Sequence, residues 1–341
     1  MADFQDFLMT EARYDVLGIG NAIVDILARA EESFLVEQQL SKGSMRLVDM
    51  TESKRLYAAM GPAIEASGGS AGNTVAGVAS LGGKTAFVGK VADDELGAVY
   101  GHDMRSIGAT FDVAPLVDGA PTARCMIFVT PDGERTMNTY LGACHALTPD
   151  DIDPALFSDT KITYFEGFLW DAPTARDAFF KAADIAHSAG RQVSLTLSDA
   201  FCVDRFRGDF MRLLRDGTID ILFANEVELK SFYETSSFNT ALKALREDCR
   251  IATVTVGAEG SYVVTPDGIE HVPATVVSNV VDTTGAGDLY ASGFLYAVAK
   301  GLDLKTAAAL GSLAAGEVIN HMGPRPATSL IDLARQSGYA L

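Results

Sequence analysis

The segment Val281-Asp282-Thr283-Thr284-Gly285-Ala286-Gly287-Asp288 runs small residues directly into an uncharged stretch, Leu289 to Ala299, that is apolar nearly all round a helix. Such a helix is buried. Free amides at its first turn, with no Cβ at Gly285 or Gly287 to block approach, make an anion hole carrying about half a positive charge. Developing phosphoryl charge fits there. Asp288, at the start of the same helix, could accept the proton of an attacking hydroxyl. The plainer alternative is that Asp288 complements the helix dipole and Gly285 makes a turn. A second constellation, Asn225-Glu226-Val227-Glu228, follows the apolar run Ile219 to Phe223. Both of its chemical side chains therefore stand at the carboxyl end of a strand, where α/β folds bind ligands. The alternative there is a helix N-cap with first-turn acids.

Other glycine clusters do not carry the same chemistry. Gly18-Ile19-Gly20 lacks the third glycine of a dinucleotide fingerprint, because position 23 is Ile. Gly83-Lys84-Thr85 imitates the end of a P-loop, but Val78 stands where its first glycine belongs and a strand follows. The four cysteines, Cys125, Cys144, Cys202 and Cys249, form no C-x-x-C pair and read as reduced, mostly buried thiols. The five histidines show no metal-ligand spacing, so no transition-metal site is expected.

The elements that must position these residues alternate. Tyr14 to Gly20, Thr85 to Val91, Ile162 to Phe165, Gln192 to Leu197, Ile219 to Phe223 and Ile251 to Val256 read as buried parallel strands. Helical patterns lie between them at Asp94 to Ile107, Thr174 to Ala189, Glu226 to Tyr233, Asn239 to Asp248, Ala286 to Lys300 and Leu304 to Asn320. Alternation of this kind implies an α/β fold, a doubly wound, mostly parallel sheet flanked by helices. Phe34 to Asp49 and Ala123 to Tyr140 break the pattern and read as pieces of a small β-sheet lid over a cleft. The expected division is 1–30, 50–110 and 146–341 for the core, and 31–49 and 111–145 for the lid. A Pro-Asp-Gly at 266–268 joins Tyr262 to Val264 with Glu270 to Val272 as a hairpin near the sheet edge.

A length of 341 residues fits one large α/β domain with an appendage, or two domains. The chain carries 27 Lys plus Arg against 45 Asp plus Glu, a net charge of −18. It has no basic stripe for nucleic acid, and an anionic membrane surface would repel it. Ala66 to Gly83 is uncharged but holds six glycines, three serines, an Asn and a Thr, so it reads as a loop and a soluble helix. Met1 to Asp15 has acids at Asp3, Asp6 and Glu11 and no apolar core, hence no visible signal peptide and a cytoplasmic expectation.

Asp282-Thr283-Thr284-Gly285-Ala286-Gly287-Asp288 resembles the C-terminal signature of the PfkB family, the ribokinase-like carbohydrate and nucleoside kinases. Three more segments match that family in order. Gly68-Gly69-Ser70-Ala71-Gly72-Asn73, running into Gly82-Gly83, resembles its N-terminal glycine signature. Asn21-Ala22-Ile23-Val24-Asp25 resembles its substrate-binding strand end, and Asn225-x-x-Glu228 its N-x-x-E motif. The resemblance implies a ribokinase-like fold and phosphoryl transfer from ATP to a primary hydroxyl of a sugar-bearing substrate. Asp288 would be the base, with the Gly285, Ala286 and Gly287 amides holding the transferred group. Asn225 and Glu228 would organise Mg²⁺ through water, together with the nucleotide phosphates. Asp25 would chelate two neighbouring hydroxyls, with Gly69 and Asn73 completing that polar floor. Arg135 matches a lid arginine that reaches the phosphates. Thr255-Val256-Gly257-Ala258-Glu259-Gly260 resembles the ATP-side loop, and Asn320 would line the adenine pocket. A monovalent cation such as K⁺ sits behind the anion hole in many members, on carbonyl ligands that leave no side-chain signature.

The Asn21-x-x-x-Asp25 spacing and Tyr164-Phe165-Glu166-Gly167-Phe168 resemble the adenosine kinase-like subgroup, and Ser70 stands where ribokinase-like members commonly carry Lys. Phe168 with Ile23 and Met137 could sandwich a nucleobase, or be core residues. The expected acceptor is therefore the 5′-hydroxyl of adenosine or a related nucleoside, with a free sugar, as in a ribokinase or fructokinase, as the alternative. Ser-Ala-Gly-Asn at 70–73 and Ala22 depart from the eukaryotic adenosine kinase pattern, which leaves base specificity open. Monomer and homodimer both fit.

Overall fold

The computed structural model describes residues 11–341. Its large sheet consists of β1 (Tyr14–Ile19), β5 (Thr85–Val88), β8 (Thr160–Glu166), β9 (Gln192–Thr196), β10 (Ile221–Asn225), β11 (Ile251–Thr255), β12 (Ser261–Thr265) and β13 (Gly268–Val272). A small sheet holds β2 (Ile23–Arg29), β3 (Met45–Leu47), β4 (Ala63–Ser67), β6 (Ala123–Val129) and β7 (Arg135–Tyr140).

In the large sheet the spatial order is β13-β12-β11-β10-β9-β8-β1-β5, with β5, β1, β8, β9, β10 and β11 parallel. Parallel strands are covered on both faces, which is why every residue of β1 and β5 is buried. One face packs on α5 (Pro154–Ser158), α6 (Pro173–Ser188), α7 (Ala200–Arg215), α8 (Glu226–Phe232) and α9 (Phe238–Asp248). There Trp170 meets Phe179 and Phe210 edge to face. The other face packs on α3 (Ser70–Ser80), α4 (Glu95–Ser106), α10 (Ala286–Ala299), α11 (Leu304–Val318) and α12 (Leu330–Gln336), around Phe87, Tyr100, Phe111 and Phe294. The β12–β13 hairpin closes one edge.

The small sheet runs β3-β7-β6-β2-β4. It is larger than the segments 31–49 and 111–145 suggest. β2 and β4, which fall in the expected core ranges 1–30 and 50–110, are two of its five strands. The pairing that recruits β2 joins Ile23 to Ala123 and Arg29 to Val129, a long-range register that no local pattern announces. The stretch 34–49 is a strand only at Met45–Leu47; α1 (Glu32–Glu37) occupies its start and buries Leu35. Leu35, Leu40 and Leu56 of α2 (Met50–Ala59) form a separate apolar cluster with Met126 and Phe128 of β6, so α2 also packs beneath this sheet. Thr110 and Leu116, by contrast, pair along the core beside Ala86 and Ala92. Most of the Met1 to Asp15 segment lies outside the described residues. Among the described residues no helix is long and apolar enough to cross a membrane.

Candidate active site

The site forms where strands of the large sheet end. Asn21 follows β1, Glu166 ends β8, Ser198 and Asp199 follow β9, and Asn225 ends β10. Parallel register puts these carboxyl ends side by side, with Ile19 beside Phe165 and Glu166 beside Thr196. Glu166 ties two of the segments together. Its carboxylate accepts from the Asn21 amide at 2.9 Å, from Asn21 Nδ2 at 2.7 Å and from the Ala71 amide at 2.9 Å. Burial raises it to about 7 even though these hydrogen bonds favour the charged form. No role for Glu166 emerges from the sequence; its one local signal is a carboxylate ending a buried apolar strand.

Packing of α3 against α10 builds the corner around Asp288. Asp288 Oδ1 accepts from Ser70 Oγ at 2.6 Å and Oδ2 from Asn73 Nδ2 at 2.9 Å, while Thr74 Oγ1 donates to the Asp288 carbonyl at 3.1 Å. Burial raises the Asp288 carboxyl above its ordinary range, opposed by those two side-chain hydrogen bonds and by Arg135. Among the described residues Asn73 Oδ1, which is buried, has no hydrogen-bond partner. Gly285 caps α10 with φ +77°, and a Cβ there would come within 2.6 Å of the Pro324 carbonyl oxygen. The position needs glycine on both counts. Asp282 holds the preceding turn by accepting from the Thr284 amide at 2.9 Å and the Gly323 amide at 3.0 Å. Arg135, the first residue of β7, reaches this loop from the small sheet, with Nη2 3.5 Å from Thr283 Oγ1 and Nε 3.6 Å from Asp282 Oδ1.

Three connected spaces surround that corner. The first, about 250 Å³, lies between the small sheet and the core and is lined by Asn21, Ile23, Asp25, Gly69, Asn73, Met137, Phe168 and Asp288. All the residues expected to bind the acceptor are thus brought together. Asp25, on β2, is buried against Gly68. Burial raises its carboxyl to about 7, opposed chiefly by Arg325 and reinforced by Asp288. The lining also includes the apolar Leu141, Ile127 and Leu47 and the polar Ser198, Asp199 and Asp171.

The second space, about 340 Å³, takes in Arg135, Asn225, Glu228, Thr255, Gly285, Ala286, Gly287 and Asp288. Asn225 and Glu228 form a reciprocal capping box on α8: Asn225 Oδ1 accepts from the Glu228 amide at 2.9 Å, and Glu228 Oε2 from the Asn225 amide at 3.0 Å. The helix-cap alternative is therefore present, yet both residues also border the cavity. Burial pushes Glu228 up to about 7, with Asp199 and Asp288 adding to the shift. The third space, a groove of about 500 Å³, is lined by Thr255, Gly257, Gly260, Val276, Val277, Gly287, Gly316 and Ile319. Asn320 does not join it. It follows the end of α11 and folds back to donate through Nδ2 to the Gly316 carbonyl at 2.5 Å, while Gly316 and Ile319 face the groove.

Asp288 thus borders both the first and second spaces, beside the start of α10. Known proteins share this framework. A family model described as pfkB family carbohydrate kinase matches residues 58–330. A crystal structure of adenosine kinase from Sinorhizobium meliloti is 55% identical, with a TM-score of 0.93, covering 96% of this chain and 100% of that one. A probable sugar kinase from Rhizobium etli CFN 42 is 52% identical, with a TM-score of 0.94, over 96% of this chain and 99% of its own. Adenosine kinase of Saccharomyces cerevisiae is 26% identical over 328 residues, 90% of this chain and 95% of its own length. Because the family model spans most of its length, the chain belongs to the pfkB family of carbohydrate kinases, phosphotransferases that act on an alcohol group.

Proposed function

We propose that the protein transfers the γ-phosphoryl group of ATP to the 5′-hydroxyl of adenosine or a closely related nucleoside. The observation that carries this reading is the position of Asp288 between two cavities, one with a polar end at Asp25 and apolar walls at Ile23, Met137 and Phe168, the other at the start of α10. A ribose diol matches Asp25, whose carboxylate can accept two hydroxyl hydrogen bonds, and an aromatic base matches the apolar walls. Resemblance to proteins named adenosine kinase supports the same acceptor. A free sugar is the second reading, favoured by the similarity to the probable sugar kinase of Rhizobium etli.

The primary hydroxyl points at Asp288, whose oxygens Ser70 and Asn73 hold in place. Because burial raises its proton affinity, this carboxylate is suited to take the hydroxyl proton as the oxygen attacks the γ-phosphorus in line. Charge that builds on the phosphoryl oxygens meets the first-turn amides of α10 and the Arg135 guanidinium. Closure of the small sheet keeps water away from the reacting phosphate. Thr255, Gly257 and Gly260 border the groove on the nucleotide side, where the adenine of ATP would lie.

Glu228 and Asn225 are fitted to a hydrated Mg²⁺. Their oxygens are oriented by the capping box, and a carboxyl raised by burial is relieved by a cation nearby. Bound there, Mg²⁺ would neutralise charge on the nucleotide phosphates. A monovalent cation behind the anion hole and a cytoplasmic location belong to the same reading.

A coupled ADP-release assay with Mg-ATP against adenosine, guanosine, cytidine, ribose and fructose, with and without potassium, tests it. A kcat/KM for adenosine well above those for the free sugars is expected. Turnover with ribose or fructose alone would return Ile23, Met137 and Phe168 to a packing role.

A further inference from the structure

Arg325 has no place in the chemistry above. It lies in the turn after α11 and enters the core against α3 and α4, with Nη2 3.4 Å from Met104 Sδ and 3.6 Å from the point a Cβ on Gly72 would occupy. Its Nε is buried with no hydrogen-bond partner among the described residues. Among the described residues no carboxylate comes within ion-pairing distance of it, although the carboxylates of Asp103 and Asp25 and the Tyr100 hydroxyl are close enough to act on its charge. Buried arginines are ordinarily paired, since an uncompensated buried charge is costly. Asp103 is already engaged by Ser67 Oγ at 2.6 Å. Asp25, by contrast, has no hydrogen-bond partner among the described residues and opens into the acceptor cavity. Gly68 lies against Asp25, and the Tyr100 hydroxyl, beside Gly72, donates to the Gly68 carbonyl at 3.3 Å.

The backbone around Arg325 is fixed to the same site. The Gly323 amide donates to Asp282, the Pro324 carbonyl abuts Gly285, and the Ala327 and Thr328 amides donate to Glu317 Oε1 at 3.0 and 2.9 Å. Arg325 is therefore presented by a segment whose neighbours hold the turn before α10.

We propose that Arg325 is a positioning residue whose guanidinium, packed behind the Gly68–Gly72 turn, supplies positive charge that favours the charged Asp25 carboxylate over the neutral acid and so its capacity to accept two substrate hydroxyls. This rests on the diol-binding reading of Asp25. Other groups face Asp25 as well. Asp288 of α10 and Asp282 before it disfavour its ionisation, and Arg135 of β7 favours it less than Arg325 does. Cys125 of β6 and Tyr100 of α4 are neutral near pH 7, because burial pushes the thiol up to about 12 and raises the phenol further. Removing Arg325 leaves burial and two carboxylates acting against one arginine.

The test is the adenosine KM and kcat of Arg325→Met, Arg325→Gln and Arg325→Lys between pH 6 and 9, with Asp25→Asn measured alongside. Asp25 is about half ionised at pH 7 in the wild type, and a rise of about one unit on losing Arg325 would leave about a tenth ionised, so the Met and Gln variants should show KM raised about fivefold at pH 7. That rise should vanish towards pH 9, with kcat at saturation little changed and the wild-type profile kept by Lys. A KM profile in Arg325→Gln and Arg325→Met that parallels wild type, while Asp25→Asn still loses acceptor affinity, overturns the proposal alone. So does a loss of kcat and affinity that is equal at every pH, which marks a purely structural role. Unchanged KM in Asp25→Asn at every pH overturns the diol reading and the proposal with it.

Discussion

Replacing Asp288 by Asn removes a proton acceptor while leaving its surroundings nearly intact. In the protein Oδ2 accepts from Asn73 Nδ2 and Oδ1 from Ser70 Oγ. An Asn side chain can keep its oxygen towards Asn73 and turn its amide towards Ser70, whose hydroxyl can rotate to accept. Both contacts survive, so the structural cost should stay below about 1 kcal/mol. The stability change has a definite sign with pH. Burial raises the Asp288 carboxyl in the folded state, so its contribution to stability is present below the unfolded carboxylate value and is lost as pH rises through the folded one. The Asn variant escapes that loss and should be no less stable than wild type at pH 8. Catalysis should behave differently. Loss of a general base typically removes a factor of about 10² to 10⁴, which corresponds to about 3 to 5 kcal/mol of transition-state stabilisation. ADP-coupled kinetics beside thermal unfolding separate the two effects. Turnover within about threefold of wild type, with ATP and adenosine KM unchanged, would refute the assignment of Asp288 as the base.

Three further outcomes are expected. Asp25→Ala should weaken acceptor binding by about 1.5 to 3 kcal/mol through loss of hydrogen bonds to a charged group, read as acceptor KM at saturating ATP, and unchanged KM would exclude the diol contact. In the wild type, adenosine KM should fall as pH rises through about 7, because Asp25 is protonated below that value and has lost acceptor capacity. A KM that is flat from pH 5.5 to 8.5 would contradict it. Gly285→Ala and Gly287→Ala should diverge. The first forces a Cβ to within 2.6 Å of the Pro324 carbonyl oxygen at φ +77° and should cost about 1 to 2 kcal/mol or more of stability, whereas the second meets nothing within 4 Å and should keep the melting point while lowering kcat. Equal melting points for the pair would show that Gly285 is not strained into place.

Much of this was legible in the residues, and the reason is local. Strands such as Thr85–Val88 and helices such as Glu95–Ser106 carry their own periodicity and caps, with Asp94 accepting from the Gly97 amide as an N-cap should. The Gly285–Asp288 turn is legible for the same reason: its glycines and its acid sit within one helical turn. What escaped depends on distance along the chain. β4, Ala-Ile-Glu-Ala-Ser, is mostly exposed and has little strand character, so its membership in the small sheet comes from pairing with β2. Glu166 and Arg325 look unremarkable in sequence; one accepts from the amides of Asn21 and Ala71, and the other packs against Gly72 of α3 and Met104 of α4. Asn320 fails in the opposite way, since a polar residue at a helix end finds its own backbone first.

Transfer to the primary hydroxyl of a nucleoside, with Asp288 as the base, is decided by identifying the product. Protein incubated with Mg-ATP and adenosine, followed by phosphorus NMR of the phosphorylated nucleoside, should give one equivalent of 5′-phosphate per ADP, with the Asp288→Asn protein giving neither above background. ADP without a phosphorylated nucleoside, or phosphate on the 2′- or 3′-oxygen, would contradict the account.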